Sequence, residues 1–258
     1  MCNELGVNEG LYKLIQEGEA GDYDAKLEAI KDIESEELFL NDPLNSRLAK
    51  IRFSFMRQIV DEDEAEGDEV DSLMLINLGL AYEYGVGVRP NAEEAIHCYQ
   101  KAVEQGDTSG NEHLGSLYLQ GHGVPVDYEK AFRYLTMNDE LRYELSNYLL
   151  GEMYRQGLGV SKDEEIACRY FEVITRDISS EISVLDNVSW RSCFRLGVAK
   201  HYGRGTQRDL VDALRLLNKA NELYDYSQGF PLDLINDITE EELNHEWKLI
   251  NQEAGGSR

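Results

Sequence analysis

Four stretches of this 258-residue chain repeat one another at near-constant spacing, and no other feature restricts its fold as much. The first reads Leu78-Gly79-x-x-Tyr82-x-x-Gly85-x-Gly87, and the second Leu114-Gly115-x-x-Tyr118-x-x-Gly121-x-Gly123. The third reads Leu150-Gly151-x-x-Tyr154-x-x-Gly157-x-Gly159, and the fourth Leu196-Gly197-x-x-Lys200-x-x-Gly203-x-Gly205. Six residues past the first loop glycine stands Asn91, Asp127, Asp163 or Asp209, and four residues further Ala95, Ala131, Ala167 or Ala213. The units begin 36, 36 and 46 residues apart.

Each unit has the chemistry of a helix pair. Leu75, Leu78, Gly79 and Tyr82 fall at i, i+3, i+4 and i+7, one stripe of a helix. Glycine reaches positive φ without steric cost, so the Gly-x-Gly ends that helix. The Asn or Asp that follows caps a second helix by accepting from its free N–H groups. Ala95, Tyr99 and Ala102 then repeat the helical spacing, and Gly79 and Ala95 let the two backbones approach closely. Twelve of the 22 glycines occupy these recurring places, which packing and turns explain. A phosphate cradle is the competing reading of Gly-x-Gly, but no strand precedes it and no Walker Lys-Ser/Thr follows.

This pattern resembles the Sel-one-like repeat family, cousins of tetratricopeptide repeats, over about residues 72–222. The resemblance implies an all-α chain: an α/α superhelical solenoid of stacked antiparallel helix pairs with helical caps. It implies a right-handed superhelix with a concave face lined by the first helix of each pair, used as a scaffold or adaptor. The fourth unit departs from the pattern with Lys200 for tyrosine and Thr206 for valine, as befits a repeat near an end. The ten additional residues around 178–192, Trp190 among them, are read either as a longer helix or loop or as a bulging contact element. The paired cysteines of disulfide-rich relatives are absent, since Cys2, Cys98, Cys168 and Cys193 show no CxxC and no repeated spacing.

A solenoid must cover the apolar faces of its end units. Residues 225–258 are expected to be a C-terminal capping helix and tail: Thr239 through Glu242 form a capping box, with Leu243, Trp247 and Ile250 on one face. Residues 71–224 hold the four repeats. Residues 1–70 are expected to be an acidic helical cap with segments 11–19, 22–33 and 45–60 helical. Asp22-Tyr23-Asp24-Ala25 faintly echoes Asp127-Tyr128-Glu129-Lys130-Ala131, so decayed repeats are an option there. The stretch 61–69, seven acids in nine positions, is expected to be an acidic loop.

Charge bears on partners. Fifty acids against 25 bases give −25, and residues 1–70 alone hold 19 acids against 7 bases. Such a surface repels phosphate backbones and anionic lipid, so neither nucleic acid nor membrane is expected as a partner. It attracts a basic protein. With neither an apolar run of membrane-spanning length nor a signal-peptide pattern at the start, a cytoplasmic location is expected.

No catalytic constellation stands out. His97, His113, His122, His201 and His245 form no H-E-x-x-H and no zinc-ligand spacing, and no G-x-S-x-G occurs. No enzyme activity, cofactor or metal is expected. Tyr82, Tyr118 and Tyr154 recur and read as packing, whereas Tyr84, Gln120, Gln156 and Tyr202 share a position whose identity varies. Since the resemblance implies that the first helix of each pair lines the concave face, the varying polar or aromatic residues there, Tyr84, His113, Gln120, Arg155 and His201, are candidate partner contacts, together with Asp61, Glu62, Asp63 and Glu64 of the acidic run; for each, the competing reading is an ordinary surface residue. The function expected is a protein–protein interaction scaffold or adaptor. The alternative is a cytoplasmic immunity or inhibitor protein that neutralises a basic toxin, such as a nuclease, through its acidic surface.

Overall fold

A short polar side chain starts each second helix of the repeats. Asn91 accepts from the N–H groups of Glu93 and Glu94, Asp127 from Lys130, Asp163 from Glu165 and Ile166, and Asp209 from Val211 and Asp212. The same four residues donate their own N–H to the first helix, to the carbonyls of Tyr82, Tyr118, Tyr154 and Lys200 at 2.8–3.0 Å. That second bond uses backbone only. Lys200 therefore replaces the tyrosine without breaking the loop, and its amine pairs with Asp212 at 3.0 Å.

The computed structural model describes residues 7–37, 47–137, 144–176, 186–227 and 238–255, and these form helices joined by turns and loops. In chain order they are α1 (Glu9–Glu19), α2 (Tyr23–Glu37), α3 (Arg47–Glu66), α4 (Ser72–Tyr84), α5 (Ala92–Glu104), α6 (Ser109–Gln120), α7 (Tyr128–Met137), α8 (Glu144–Gln156), α9 (Glu164–Arg176), α10 (Asp186–Tyr202), α11 (Leu210–Ser227) and α12 (Glu240–Gly255). Cys2, the tail 256–258 and most of the insertion lie outside the described residues. Two compact units divide the chain: residues 1–114 with 122–125, and residues 115–121 with 126–258.

Within each repeat a glycine in the first helix is a socket for a large side chain twenty residues later. A Cβ on Gly79 would stand 2.4 Å from the Tyr99 ring, on Gly115 2.5 Å from Leu135, on Gly151 2.5 Å from Phe171, and on Gly197 3.1 Å from Leu217. The close approach to the alanine is present as well: the Ala131 and Ala213 carbonyls lie 3.3 Å from the Cβ positions of Gly115 and Gly197. Tyr118 stacks on Tyr134 and Tyr154 on Tyr170, with centroids 5.8 and 5.9 Å apart, so the recurring tyrosines pack as expected.

The second glycine of each Gly-x-Gly contacts the preceding helix pair. With φ near +70° at all four positions, its Cβ position would fall 2.8 Å from Ala92 for Gly123, 2.7 Å from Tyr128 for Gly159 and 2.1 Å from Glu164 for Gly205. Ala92, Tyr128 and Glu164 are the first residues of α5, α7 and α9. Gly87 makes the same approach to Ala49 of α3, at 2.2 Å. Phe53 packs edge-on against Tyr82 at 5.2 Å, as Phe132 does against Tyr154 at 5.8 Å. Thus α3 occupies the place of a second repeat helix ahead of the first recognisable unit. Asp22 does cap a helix, α2, through the Ala25 N–H, but it is α3 that meets Gly87.

Only residues 67–69 of the acidic stretch lie outside a helix. α3 continues to Glu66, because Asp61–Glu64 find cations and a phenol around them and the helix core at Phe55, Met56, Ile59 and Val60 is buried. The described part of the insertion is likewise helical. It is the first turns of α10, where Trp190 is buried and meets Tyr224 edge-on at 5.0 Å. At the C-terminus the capping box forms: Thr239 N–H donates to Glu242 at 2.9 Å, and Glu242 N–H to the Thr239 hydroxyl at 3.1 Å. α12 then buries Leu243 and Ile250, and the Trp247 indole donates to Asn218 of α11 at 2.7 Å.

Candidate interaction sites

In the first unit, Tyr84 is 40% exposed and meets His122 edge-on at 5.3 Å. Beneath it Glu83 takes a hydrogen bond from the Tyr99 hydroxyl at 2.7 Å and contacts His122 Nδ1 at 2.7 Å. His113 is half-buried and stacks on Tyr99 at 5.0 Å. Burial holds its imidazole below its ordinary pKa, while Glu83 and Asp107 pull the other way. Burial likewise raises the Tyr99 phenol, reinforced by Glu83. His113 is thus wedged in the packing.

The four acids each have an internal partner. Arg57 pairs with Asp61 at 2.8 Å, Lys26 with Glu62 at 2.5 Å, Tyr23 donates to Asp63 at 3.1 Å, and Lys101 pairs with Glu64 at 2.5 Å. The Lys101 hydrogen bond holds the Glu64 carboxyl below its usual range. Lys26 is 1% exposed, so its pairing fixes α2 against α3.

In the second unit, Gln120 is half-buried and donates to the Ser116 hydroxyl at 2.7 Å. His201 is only 6% exposed. Its Nε2 lies 2.9 Å from Glu253 and its Nδ1 3.9 Å from Glu246, and Arg208 also pairs with Glu253. His201 thus ties α10 to α12. Tyr202 beside it is 43% exposed.

Arg155 belongs to a larger assembly that spacing alone did not reveal. Glu152 on α8 is 1% exposed and is saturated by donors. Arg155 gives it two bonds, Nε at 3.0 Å and Nη2 at 2.7 Å. Gln156 gives one at 2.8 Å and Arg195 Nε one at 2.8 Å. The two guanidiniums, with Lys162 and Arg204, line a cavity of about 170 Å³ whose one acidic lining residue is Glu164. Ala167 and Phe171 of α9 and Val198 and Ala199 of α10 give it apolar walls. Cys168 also lines it, its thiol pushed up to about 11 by burial, which leaves it protonated and unreactive at neutral pH.

Among the described residues no group of three or more His, Cys, Asp or Glu side chains is placed to hold a metal. No described helix is long and apolar enough to cross a membrane.

Comparison with known proteins agrees with this geometry. The model for the Sel1 repeat matches residues 72–107, 109–137, 145–173 and 190–225. A 47-residue stretch is 43% identical to DAP3-binding cell death enhancer 1 of Rattus norvegicus, covering 18% of this chain and 9% of that one. Among solved structures, a Sel1 repeat protein from Oxalobacter formigenes superposes with a TM-score of 0.57 at 20% identity, over 86% of this chain and 59% of the other. A protective antigen present in uropathogenic Escherichia coli strains, which displays an SLR fold, gives 0.51 at 22% identity over 97% and 57%. This chain therefore spans less than two thirds of each of these proteins. Sel1 repeats generally serve as protein–protein interaction scaffolds. Four matched units over half of its residues, with the solenoid fold of two solved repeat proteins, make this chain a member of the Sel1 repeat family.

Proposed function

We propose that this protein is a non-enzymatic scaffold that holds a protein partner on its repeat surface. One observation carries the reading: the recurring glycines are consumed by packing, whereas two tyrosines at a varying position stay accessible. The repeat glycines are sockets and Tyr118 is buried, but Tyr84 and Tyr202, at a position where the other units have glutamine, are each about two-fifths exposed. Tyrosine at such a place gives large contact area at small entropic cost. The curated relative is itself named for binding another protein.

The charge of −25 favours a partner whose facing surface is basic, and it supports a second reading as an inhibitor of a basic toxin such as a nuclease. Because Asp61–Glu64 are internally paired, this second reading draws on the net field rather than on the acidic run alone. The test is capture of partners by the full chain at low and raised salt, beside Tyr84→Ala and Tyr202→Ala. A basic partner lost at raised salt supports the inhibitor reading, and a salt-resistant partner lost in the tyrosine variants supports the scaffold. Capture indifferent to both perturbations refutes the assignment of this surface.

A further inference from the structure

The cationic cavity of the second unit reverses the sign of the molecule around it. Four cations, Arg155, Lys162, Arg195 and Arg204, stand against Glu164 in its lining and Glu152 behind it. The lining thus holds four cations against one acid in a chain of net −25. Two of the cations are preorganised: the saturated carboxylate of Glu152 holds both guanidiniums by short bonds, so their orientation is set before any guest arrives. The other two are exposed at the rim; Lys162 is tethered to Glu164 at 2.8 Å and Arg204 lies over the Tyr202 ring at 4.7 Å.

None of these four cations belongs to the repeat skeleton. Counted from the repeat spacing, the places of Arg155, Lys162, Arg195 and Arg204 are filled one repeat earlier by Leu119, Val126, Leu149 and Leu158. One repeat earlier again they are filled by Glu83, Pro90, His113 and His122. The same four places thus carry an apolar set and an acid–histidine set elsewhere, and a wholly cationic set only here. Arg155 and Arg195 satisfy the buried Glu152, whereas folding does not require cations at the exposed places of Lys162 and Arg204, since the other repeats do without them.

We infer that this cavity binds an isolated carboxylate of a partner peptide together with the apolar side chain next to it. The inference rests on the scaffold reading and names one chemical anchor within it. The cations recognise the carboxylate, and Ala167, Phe171, Val198 and Ala199 receive the neighbouring side chain. The volume of about 170 Å³ equals that of five or six liquid waters at roughly 30 Å³ each, room for one carboxylate and one aliphatic group but not for a folded element. The acidic surroundings repel a segment with many negative charges, so the guest presents a single carboxylate in an otherwise neutral or basic segment. That carboxylate is either a chain terminus or a lone Asp or Glu side chain.

The experiment screens the full chain against bead-bound random hexapeptides, one half with free carboxyl termini and one half amidated. Enriched peptides are then titrated calorimetrically into the wild type and into the double variant Lys162→Glu/Arg204→Glu. Those two cations are exposed, so the variant should keep its circular dichroism and melting temperature. Expected is enrichment of one carboxylate beside Leu, Ile, Val or Phe, with affinity falling about ten-fold or more in the variant and on neutralising that carboxylate. Enrichment only in the free-terminus half identifies a chain end, and enrichment in both halves identifies a side chain. Enrichment of Lys- or Arg-rich peptides, or affinity unchanged in the variant, overturns the inference. So does variant-sensitive binding of inorganic phosphate as tight as that of the peptides, which would mark a small-anion site. A protein partner that the double variant holds as well as the wild type would overturn this anchor and leave the scaffold reading standing. Failure to bind any peptide or protein would overturn both.

Discussion

Gly203 and Gly205 give a controlled measurement of what holds neighbouring repeats together. Both sit in the left-handed region, at φ +67° and +68°, so alanine at either pays the same penalty of about 1–2 kcal/mol and gains the same restriction of the unfolded chain. Their surroundings differ. A Cβ on Gly203 would meet Arg208 Cβ at 3.4 Å, an ordinary contact. A Cβ on Gly205 would lie 2.1 Å from the Glu164 carbonyl oxygen, 2.2 Å from its carbon and 2.7 Å from the Glu165 nitrogen. These are backbone atoms at the start of α9, which cannot swing aside as a side chain can, so the two repeats must separate. Overpacking of this kind costs about 1–3 kcal/mol more. Gly203→Ala should therefore lose about 1–2 kcal/mol and Gly205→Ala about 2–5 kcal/mol. At roughly 2–4 °C per kcal/mol for a chain of this length, thermal melts followed by far-ultraviolet circular dichroism separate the two, and urea midpoints check the order. Equal losses, within about 0.5 kcal/mol, would refute the claim that the second glycine is a contact between repeats rather than a turn residue.

Glu152→Ala should destabilise by about 1–3 kcal/mol, because it leaves the partly solvated Arg155 and Arg195 without their shared carboxylate. Glu165→Ala, which removes an exposed pair with Arg169, should cost about 0–1 kcal/mol; urea unfolding compares them. His113 has a lowered folded-state pKa, so as pH falls the unfolded chain takes up its proton first. Its contribution is complete above the ordinary histidine value and is lost as pH falls through the lower folded value, and His113→Gln should flatten that part of the stability profile. Thr239→Ala should cost α12 about 1 kcal/mol, read by amide exchange along the helix. The Glu242 carboxyl is held below its usual range chiefly by the Thr239 N–H, so the wild-type cap persists above the ordinary glutamate range and loosens as pH falls through the lowered value.

The repeat skeleton was legible in the sequence because its determinants are local. A glycine at positive φ, an Asp that accepts from N–H groups two or three residues on, and apolar residues three and four apart act within one or two helices, and periodicity exposes them. The capping box of α12 was legible for the same reason. Distant pairing was not. The stretch 61–69 read as a loop because seven acids without a base repel one another, but Lys26 and Lys101, 36 and 37 residues from Glu62 and Glu64, reach them in three dimensions and let α3 run on to Glu66. His201 read as a surface candidate until Glu246 and Glu253 of α12 closed over it. Arg155 was picked out for its varying position, but its joining to Arg195, Lys162 and Arg204 depends on how α8 and α9 pack against α10. By itself, then, the sequence determined the period, the helix ends and the close approach of glycine to alanine, which are short-range consequences of backbone conformation and side-chain volume. Only the tertiary structure decided which charges meet across repeats, since Coulomb partners are chosen by distance in space and leave no spacing in the chain.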